Sequence, residues 1–287
     1  MDVDLEALRA RLPARPVTRF APSPTGYLHL GHVVNAIYVW GVARALGGRV
    51  LLRIEDHDRL RSRPEYERAL LEDLAWLGFD PDVGPVRQSG EAYVYDEALR
   101  RLAASHHVYA CDCSRRQIAA AAAAYRGHRA TKDEVPYSGR CRTRDVPITA
   151  GRGVRVEMVP GAEQFDDARL GALEQTPASQ CGDLLLRDRD GFWTYQFAVT
   201  VDDHRQGIDL VVRGEDLLSS TGRQIRLARM LGRAQGPVFL HHPLLLTSDG
   251  QKLSKSNRDT GVRDLRRAGI SADEVVARAR ALLPGLW

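Results

Sequence analysis

The sequence predicts an α/β fold, namely a doubly wound parallel sheet of the Rossmann type that an inserted subdomain interrupts. Two parts of the chain alternate strand and helix, which is the order of βαβ units in a parallel sheet. Between them, residues 101–185 include the polar, turn-rich segment GHRATKDEVPYSGRCRTRDVP (127–147) and carry Cys111, Cys113, Cys141 and Cys181. In such folds the functional site lies at the carboxyl ends of the strands.

The first half of the sheet is predicted within residues 1–100, after a short N-terminal helix. Its elements follow one another as VTRF (17–20), a helix from about His29 to Gly47, RVLLRIED (49–56) and the amphipathic RPEYERALLEDLAWLGF (63–79). Pro22 and Pro24 end the first strand, because proline cannot donate to a strand ladder. Apolar residues at helical spacing then define the helix.

The remaining elements are predicted from apolar runs and turns. Within 101–185, GRGVRVEMV and EQFDDARLG are predicted short strands. Residues 186–245 are predicted to return to the sheet as apolar strands, with Asp190-Gly191 as a hairpin turn, followed by strand, loop and helix. Residues 246–287 hold the KLSKS loop and one or two short helices, with no anticodon-binding domain expected.

Composition excludes several classes of protein. The chain has 287 residues, a net charge of +4 and a pI near 9, which permits a nucleic-acid partner but fits a generic basic surface equally well. No run of 18 apolar residues predicts a membrane span, and the acidic start MDVDLEALRA does not resemble a signal peptide. We therefore expect a cytoplasmic monomer.

Lysine is rare in this chain, which uses arginine for almost all of its basic positions. The lysines are Lys132, Lys252 and Lys255, and two of them lie in the pentapeptide KLSKS (252–256). Lysine is a compact point charge on a flexible stem, and arginine does not replace it equivalently at a phosphate. The pentapeptide is therefore predicted to bind phosphate rather than to be a solvated basic loop.

The segment RFAPSPTGYLHLGH (19–32) combines an open proline loop with two histidines at the start of a helix. His29 and His32 are one turn apart and share a face. A helix start presents unpaired N–H groups and the positive end of the helix dipole, which suits a phosphate. Gly31 leaves the backbone bare where a flat ring can lie. The segment predicts a nucleotide triphosphate site, whereas an isolated HxxH also fits a zinc half-site or surface histidines.

Three cysteines in the predicted insertion are close enough in sequence to bind a metal. Cys111, Cys113 and Cys141 supply three thiolates, and a closed tetrahedral zinc site needs a fourth ligand. The nearby candidates are Tyr137, His128, His106 and His107, and ligand chemistry alone favours a histidine. Three unrelated reduced thiols are the alternative, and the separate Cys181 is expected to be a buried small residue.

These motifs together resemble a known family. HLGH with the downstream KLSKS is similar to the signature pair of class I aminoacyl-tRNA synthetases. RFAPSPTGYLHLGH, RIED and VDDH narrow the resemblance to the glutamyl-tRNA synthetase catalytic core, over residues 17–258. The resemblance implies that a glutamate carboxylate attacks the α-phosphate of ATP, and that an RNA hydroxyl then takes the glutamyl group.

The resemblance also implies roles for individual residues. The catalytic group comprises His29, His32, Lys252 and Lys255, and the ATP site comprises His29, Gly31, His32 and Lys255. The glutamate pocket comprises Arg19, Ala21, Ser23, Glu55, Tyr195 and Arg213. Arg19 and Glu55 also fit an ordinary ion pair. Mg²⁺ is expected with ATP, without a dedicated carboxylate.

Within this family, the C-x-C…Y-x₃-C pattern is similar to the zinc site of the shorter glutamyl-Q tRNA(Asp) synthetases, which implies Tyr137 as the fourth ligand. Few residues follow Ser256, and Val199 stands where full-length synthetases usually carry asparagine. The expected partners are ATP, L-glutamate and tRNA(Asp) carrying queuosine. The alternatives are a minimal enzyme charging the 3′ end of tRNA(Glu), a non-catalytic nucleotide- or RNA-binding regulator, and a small-molecule nucleotidyltransferase.

Overall fold

The structure, a computed structural model, describes residues 3–57, 60–124, 135–244 and 261–283. The strands are β1 (Val17–Phe20), β2 (Arg49–Ile54), β3 (Val83–Arg87), β4 (Val108–Cys111), β5 (Gly153–Val156), β6 (Glu163–Asp167), β7 (Gly171–Gln175), β8 (Leu184–Arg187), β9 (Leu210–Gly214) and β10 (Val238–His242). The α-helices are α1 (Leu5–Ala10), α2 (Leu30–Ala45), α3 (Pro64–Trp76), α4 (Ala92–Ser105), α5 (Arg115–Ala124), α6 (Pro177–Cys181), α7 (Tyr195–Arg205), α8 (Thr221–Met230), α9 (Val262–Arg267) and α10 (Ala272–Ala281). Short 3₁₀ turns lie at Gln88–Glu91 and Glu215–Ser220.

The larger sheet has seven strands in the order β3-β2-β1-β9-β10-β6-β7. All neighbouring strands in it are parallel except the hairpin of β6 and β7. The chain builds outward from β1 to β3 and later resumes on the other side of β1 with β9. This change of direction is the switch point at which open α/β sheets bind ligands. The predicted parallel α/β sheet is confirmed.

Apolar strand residues hold the helices on one face of this sheet. The core there joins Phe20 of β1, Val212 of β9 and Leu240 of β10 to Val34 and Val39 of α2. These side chains are at most 2% exposed. Full burial of a side chain of this size contributes about 1.5–3 kcal/mol. The start of α2 is therefore held rigidly beside the carboxyl ends of β1 and β9.

The smaller sheet is antiparallel, in the order β4-β5-β8. The predicted subdomain, residues 101–185, contributes strands to both sheets. Within it, β6 and β7 extend the larger sheet beyond β10, whereas β4 and β5 belong to the smaller one. β8, at the predicted boundary, pairs with β5. The domain boundaries at 100, 185 and 245 stay predictions.

One part of the second half differs from the expectation of strands. The turn at Asp190-Gly191 is present, and an isolated bridge joins Arg187 to Trp193. The next segment is the helix α7, however, and not a strand. Every side chain from Phe197 to Asp203 is buried, so the segment shows neither a clear helical stripe nor a strand alternation. Tertiary packing decides its conformation.

None of the helices in the described ranges has both the length and the apolar character that a membrane span requires.

Candidate functional site

A cleft of about 480 Å³ opens at the carboxyl ends of β1, β9 and β10, beside the first turn of α2. It brings together six of the residues predicted for the ATP and glutamate sites: Ala21, Ser23, His29, Gly31, His32 and Arg213. These residues come from two widely separated parts of the sequence. The parallel register explains their convergence, because β1 and β9 are neighbours and both end at this edge.

The two histidines cap the start of α2 reciprocally. The backbone N–H of His29 donates to Nδ1 of His32 at 3.1 Å, and the N–H of Gly31 donates to Nδ1 of His29 at 3.1 Å. An N–H donor requires each Nδ1 to be unprotonated, so both neutral rings carry their proton on Nε2. The ring centroids are 3.9 Å apart. The helix start therefore fixes two imidazole donors at the edge of the cleft.

Gly31 is required by the position of the His29 ring. A Cβ atom at residue 31 would lie 2.9 Å from Cε1 and 3.0 Å from Nδ1 of His29. Carbon atoms do not approach so closely without displacement of one group. Glycine thus lets the His29 ring fold back over the helix start and accept the Gly31 N–H.

Arg213 is the penultimate residue of β9 and presents a buried guanidinium to the cleft. The side chain is 3% exposed, yet it lines the cavity. Its Nη1 donates to Oε1 of Gln224 at 2.7 Å, and its Nη2 donates to Oγ1 of Thr221 at 2.8 Å. Arginine has five N–H donors, so these bonds leave donors for an anion.

Arg19 and Glu55 belong to a buried network of charges. They are not among the residues that line the cavity with Arg213. Arg19 Nε donates to Asp203 Oδ1 at 3.3 Å, and Arg53 Nη1 lies 2.8 Å from the same oxygen. Arg53 Nη2 also lies 3.4 Å from Glu55 Oε1. The ion pairs of Arg19 and Glu55 are therefore with Asp203 and Arg53.

The pKa values in this network follow burial and the nearby arginines. Burial opposes ionisation of Asp203, but the charges of Arg19 and Arg53 outweigh it and lower the pKa of Asp203. Burial raises the pKa of Glu55, although Arg53, His57 and Arg19 act in the opposite direction. Asp203 is thus the acid that pairs with both arginines, while for Glu55 burial outweighs the neighbouring positive charges.

Tyr195 is the first residue of α7 and is half-buried. Burial raises the pKa of its hydroxyl, and the charges of Arg213, Glu55, Arg19 and Asp203 also act on it. Tyr195 therefore lies among the other predicted glutamate-binding residues, although it does not line the cleft itself. Val199 follows one helical turn later on the same face and is 1% exposed.

Three further polar residues that the sequence did not single out line the cleft: Asn35, Asp216 and His242. The ring of His242 stacks on Tyr38 at a centroid distance of 4.6 Å, and its Nε2 lies 3.2 Å from Asn35 Oδ1. Burial lowers the pKa of His242 to about 4, so the ring is neutral at pH 7. The available signal was the polar HH pair at the end of an apolar strand.

The predicted lysines cannot be placed, because Lys252 and Lys255 lie outside the described residues. The described chain on either side of them is close to the cleft. Leu244 lines the cavity, and the N–H of Val262 donates to the carbonyl of Leu28 at 2.9 Å, next to His29. The described residues that flank the lysines, Leu244 and Val262, therefore both lie close to the histidine pair.

The predicted metal ligands come together in the smaller sheet. The Sγ atoms of Cys111, Cys113 and Cys141 lie within 4.8 Å of one another, and all three residues are buried. Cys113 and Cys141 Sγ are 3.5 Å apart, too far for a disulfide bond. Two thiolates on one tetrahedral zinc ion, each about 2.3 Å from it, would be about 3.8 Å apart. The cluster therefore fits a tetrahedral zinc ion, with three thiol donors already gathered.

The Tyr137 hydroxyl lies beside the cysteine cluster. Its hydroxyl oxygen is 3.5 Å from Cys111 Sγ and 3.9 Å from Cys113 Sγ. His106 Nε2 instead contacts the Met230 carbonyl, and His107 Nδ1 contacts Glu157. His128 lies outside the described residues. Among the described candidates, Tyr137 is therefore the one whose donor atom faces the cysteines.

Gly182 is required for this position of Tyr137. The N–H of Tyr137 donates to the Cys181 carbonyl at 3.0 Å, which brings the two backbones together. A Cβ at residue 182 would lie 1.9 Å from the Tyr137 carbonyl oxygen, and the residue has a φ of +64°. Only glycine accepts both conditions.

Comparisons with known proteins identify the family of this chain. The family model "tRNA synthetases class I (E and Q), catalytic domain" matches residues 16–274. A glutamyl-Q tRNA(Asp) synthetase of Geobacter sulfurreducens is 43% identical over 90% of this chain and 82% of its own length. A glutamate–tRNA ligase 1 of Acidithiobacillus ferrooxidans is 41% identical over 90% of this chain but 55% of its own.

A solved structure shows the same fold. The glutamate tRNA ligase from Elizabethkingia meningosepticum, crystallised in complex with its amino acid, superposes with a TM-score of 0.72 at 30% identity. The match covers 89% of this chain and 53% of that one. The described strands, the histidine-capped helix and the family match over residues 16–274 lead to one assignment. The chain belongs to the class I tRNA synthetases (E and Q), and within that family it is similar over most of both chains to the glutamyl-Q tRNA(Asp) synthetases.

Proposed function

We propose that this chain is a ligase that activates glutamate with ATP and transfers the glutamyl group to queuosine in the anticodon loop of tRNA(Asp). The observation that carries the proposal is the cleft in which the paired imidazoles of α2 face the buried Arg213. Relatives named glutamyl-Q tRNA(Asp) synthetase, which this chain matches over 82–98% of their length, support the choice of acceptor.

In the first step, a glutamate carboxylate oxygen attacks the α-phosphorus of ATP, and the bond to pyrophosphate breaks. The products are glutamyl-adenylate and pyrophosphate. His29 and His32 donate Nε2–H bonds to phosphate oxygens from the helix start, where the backbone dipole also favours negative charge. Lys252 and Lys255 complete the proposed set by balancing charge on the departing pyrophosphate. Loss of one such donor in a water-excluded site costs about a hundredfold in rate.

The proposed glutamate pocket pairs each charge of the amino acid with an opposite charge. Arg19 and Arg213 bind the carboxylates, and Glu55 binds the ammonium group. Tyr195 contributes its hydroxyl, while Ala21 and Ser23 form the wall beside β1. Support for this assignment comes from Arg213, Ala21 and Ser23 in the cleft, and from the electrostatic influence of Arg213, Glu55 and Arg19 on Tyr195.

In the second step, a hydroxyl oxygen of the RNA attacks the acyl carbon of the adenylate. The bond to AMP breaks, and the glutamyl group becomes an ester of the RNA. A queuosine base offers such a hydroxyl in a single-stranded loop, where bases splay out and are accessible to a protein.

Zinc is proposed as a structural ion held by Cys111, Cys113, Tyr137 and Cys141. Such an ion supplies cross-links between distant segments and no redox chemistry. Arg155 of β5 packs on the same cluster, with its guanidinium carbon 3.9 Å from the centre of the Tyr137 ring. Mg²⁺ is proposed to arrive with ATP, because the described residues hold no comparably dense group of carboxylates and histidines. The proposed location, the cytoplasm, rests on family membership alone.

The decisive experiment incubates the purified protein with ATP, labelled glutamate and purified tRNAs. We expect label on tRNA(Asp) that carries queuosine and none on queuosine-free tRNA(Asp) or on tRNA(Glu). Label on tRNA(Glu) would instead favour a minimal glutamyl-tRNA synthetase. Absence of glutamate-dependent ATP–pyrophosphate exchange would favour a non-catalytic binding protein and refute the proposal.

A further inference from the structure

Behind Arg213, a buried histidine and a buried aspartate form a chain of hydrogen bonds that crosses three strands. Arg213 Nε donates to His241 Nε2 at 3.0 Å, and His241 Nδ1 contacts Asp167 Oδ2 at 2.7 Å. His241 is 0% exposed and Asp167 is 2% exposed. Neither residue lines the cleft. Their chemistry can therefore reach a substrate only through Arg213.

Strand register places the three residues together. In the parallel pair of β9 and β10, His241 is the partner of Arg213. In the pair of β10 and β6, Asp167 at the end of β6 is the partner of Phe239, two residues before His241. Partners in register on parallel strands project to the same face of the sheet. The sheet itself thus aligns the three side chains at the edge that forms the cleft.

The partners fix the tautomer of His241. Asp167 accepts backbone N–H bonds from Arg169 and Leu170 at 3.1 and 3.0 Å, which is the environment of an ionised carboxylate. His241 Nδ1 must then carry the proton that bonds to Asp167. The Arg213 N–H is also a donor, so His241 Nε2 must be bare. Burial of the ring, with the Arg213 charge beside it, lowers the pKa of His241 and favours this neutral form.

The orientation of Arg213 depends on these contacts. His241, Gln224 and Thr221 each accept one of its N–H groups, at 2.7–3.0 Å. A guanidinium recognises a carboxylate by two parallel N–H···O bonds, which requires its plane to be set correctly. If Nε2 of His241 carried the proton, two donors would face each other and the guanidinium would have to turn.

We propose that Asp167 and His241 are a positioning pair, in which Asp167 holds the tautomer of His241 and His241 holds the guanidinium of Arg213 for a carboxylate of the substrate. This inference rests on the proposed function, because Arg213 is taken to bind glutamate. The pair does not touch the reacting atoms. Its effect is therefore expected on the KM for glutamate, and not on the KM for ATP.

The first test replaces Asp167 by asparagine. An asparagine amide can donate to His241 Nδ1 and so favour the wrong tautomer, as happens when the aspartate of a serine-protease triad is replaced. In glutamate-dependent ATP–pyrophosphate exchange, Asp167→Asn should raise the KM for glutamate about tenfold to a hundredfold, the range for loss of a hydrogen bond to a charged group. The KM for ATP should stay within about twofold.

The matched control is Asp166→Asn, the same chemical change at the preceding residue. The Asp166 side chain is 59% exposed and pairs with Arg11 on the outside of the protein. We expect this variant to keep both KM values of the parent protein. Equal rises in both KM values of Asp167→Asn, or no rise in either, would overturn the positioning pair.

Two further measurements decide the question even if Asp167→Asn does not fold. In ¹⁵N NMR of histidine-labelled protein, His241 should carry its proton on Nδ1, with its signal identified by loss in a His241→Gln variant. A proton on Nε2 would overturn the inference. His241→Gln, which keeps an acceptor near Arg213, should retain a KM for glutamate about tenfold lower than that of His241→Leu, and equal values would also overturn it.

These outcomes remain separate from failure of the proposed function. If the parent protein shows no glutamate-dependent exchange, the proposed reaction is refuted. The NMR measurement then still establishes or overturns the tautomer that Asp167 is proposed to impose.

Discussion

Replacing Asp203 by asparagine should destabilise the protein strongly, because this carboxylate pairs with two buried arginines. Asp203 Oδ1 lies 2.8 Å from Arg53 Nη1 and 3.3 Å from Arg19 Nε. Arg53 and Arg19 are 0% and 4% exposed, so hydration of their guanidinium groups cannot compensate for the lost carboxylate charge. Arg53 keeps Glu55 at 3.4 Å and Asp202 at 3.9 Å, whereas Arg19 keeps the uncharged Val212 carbonyl at 3.2 Å and is the arginine left with an uncompensated charge.

Breaking a buried ion pair from one side costs about 3–5 kcal/mol, chiefly because it leaves a charge buried without compensation. We therefore expect Asp203→Asn to lower the free energy of unfolding by about 3–5 kcal/mol at pH 7. The measurement is guanidinium-induced unfolding, followed by tryptophan fluorescence. Glu274→Gln, which removes a half-exposed partner of Arg278 on α10, is the control and should change the free energy by less than about 1 kcal/mol.

The pH dependence gives a second check on the same reasoning. The pKa of Asp203 is lowered in the folded protein, so its contribution is present above its ordinary value of about 3.9 and is lost as the pH falls below it. The difference between the parent protein and Asp203→Asn should therefore be full at pH 7 and shrink in acid. A loss at pH 7 no larger than that of Glu274→Gln would refute this account of the buried network.

Three other substitutions test separate parts of the site. Gly31→Ala should displace the His29 ring, since the added Cβ would lie 2.9 Å from it. The variant should stay folded but catalyse ATP–pyrophosphate exchange at least about tenfold more slowly. An unchanged rate would contradict the proposed role of the His29 ring. The pKa of His242 falls from its ordinary value of 6.5 to about 4 in the folded protein, so protonation favours unfolding. In urea titrations, the free energy of unfolding should therefore fall by about 2 kcal/mol between pH 7 and pH 5 because of this residue. His242→Gln should lack this fall, and an equal fall in that variant would disprove the assignment. Cys141→Ser should lower the zinc content, measured by atomic absorption, below one ion per chain. The control Cys181→Ser should keep the zinc content of the parent protein. Equal zinc contents in the two variants would exclude the proposed ligand set.

Several elements are readable from the sequence because their causes are local. The two prolines end β1, the helical spacing of apolar residues defines α2, and the two histidines cap it within a single turn. The prediction that the histidines share a face at a helix start is confirmed by their mutual hydrogen bonds. The proximity of the three cysteines is likewise visible in their spacing and confirmed by the structure, whereas metal binding stays a proposal.

Elements governed by tertiary packing are not readable in this way. The sequence of α7 predicts a strand, because its buried residues face the core on all sides and leave no periodic signal. The pairing of β6 with β10 joins residues that lie far apart along the chain, such as Asp167 and Phe239. Sequence spacing contains no information about such a register.

The class of fold, the helix start that bears His29 and His32, and the residues from which the candidate sites are built can all be read from the order of amino acids. Which of these residues meet depends on how the sheet assembles. The assembled sheet places Arg213 in the cleft with the histidines, pairs Arg19 with the buried Asp203, and brings His241 to Arg213 from a neighbouring strand. The physical reason is that capping and turn formation depend on neighbours along the chain, whereas burial and charge pairing depend on strands brought together by the sheet.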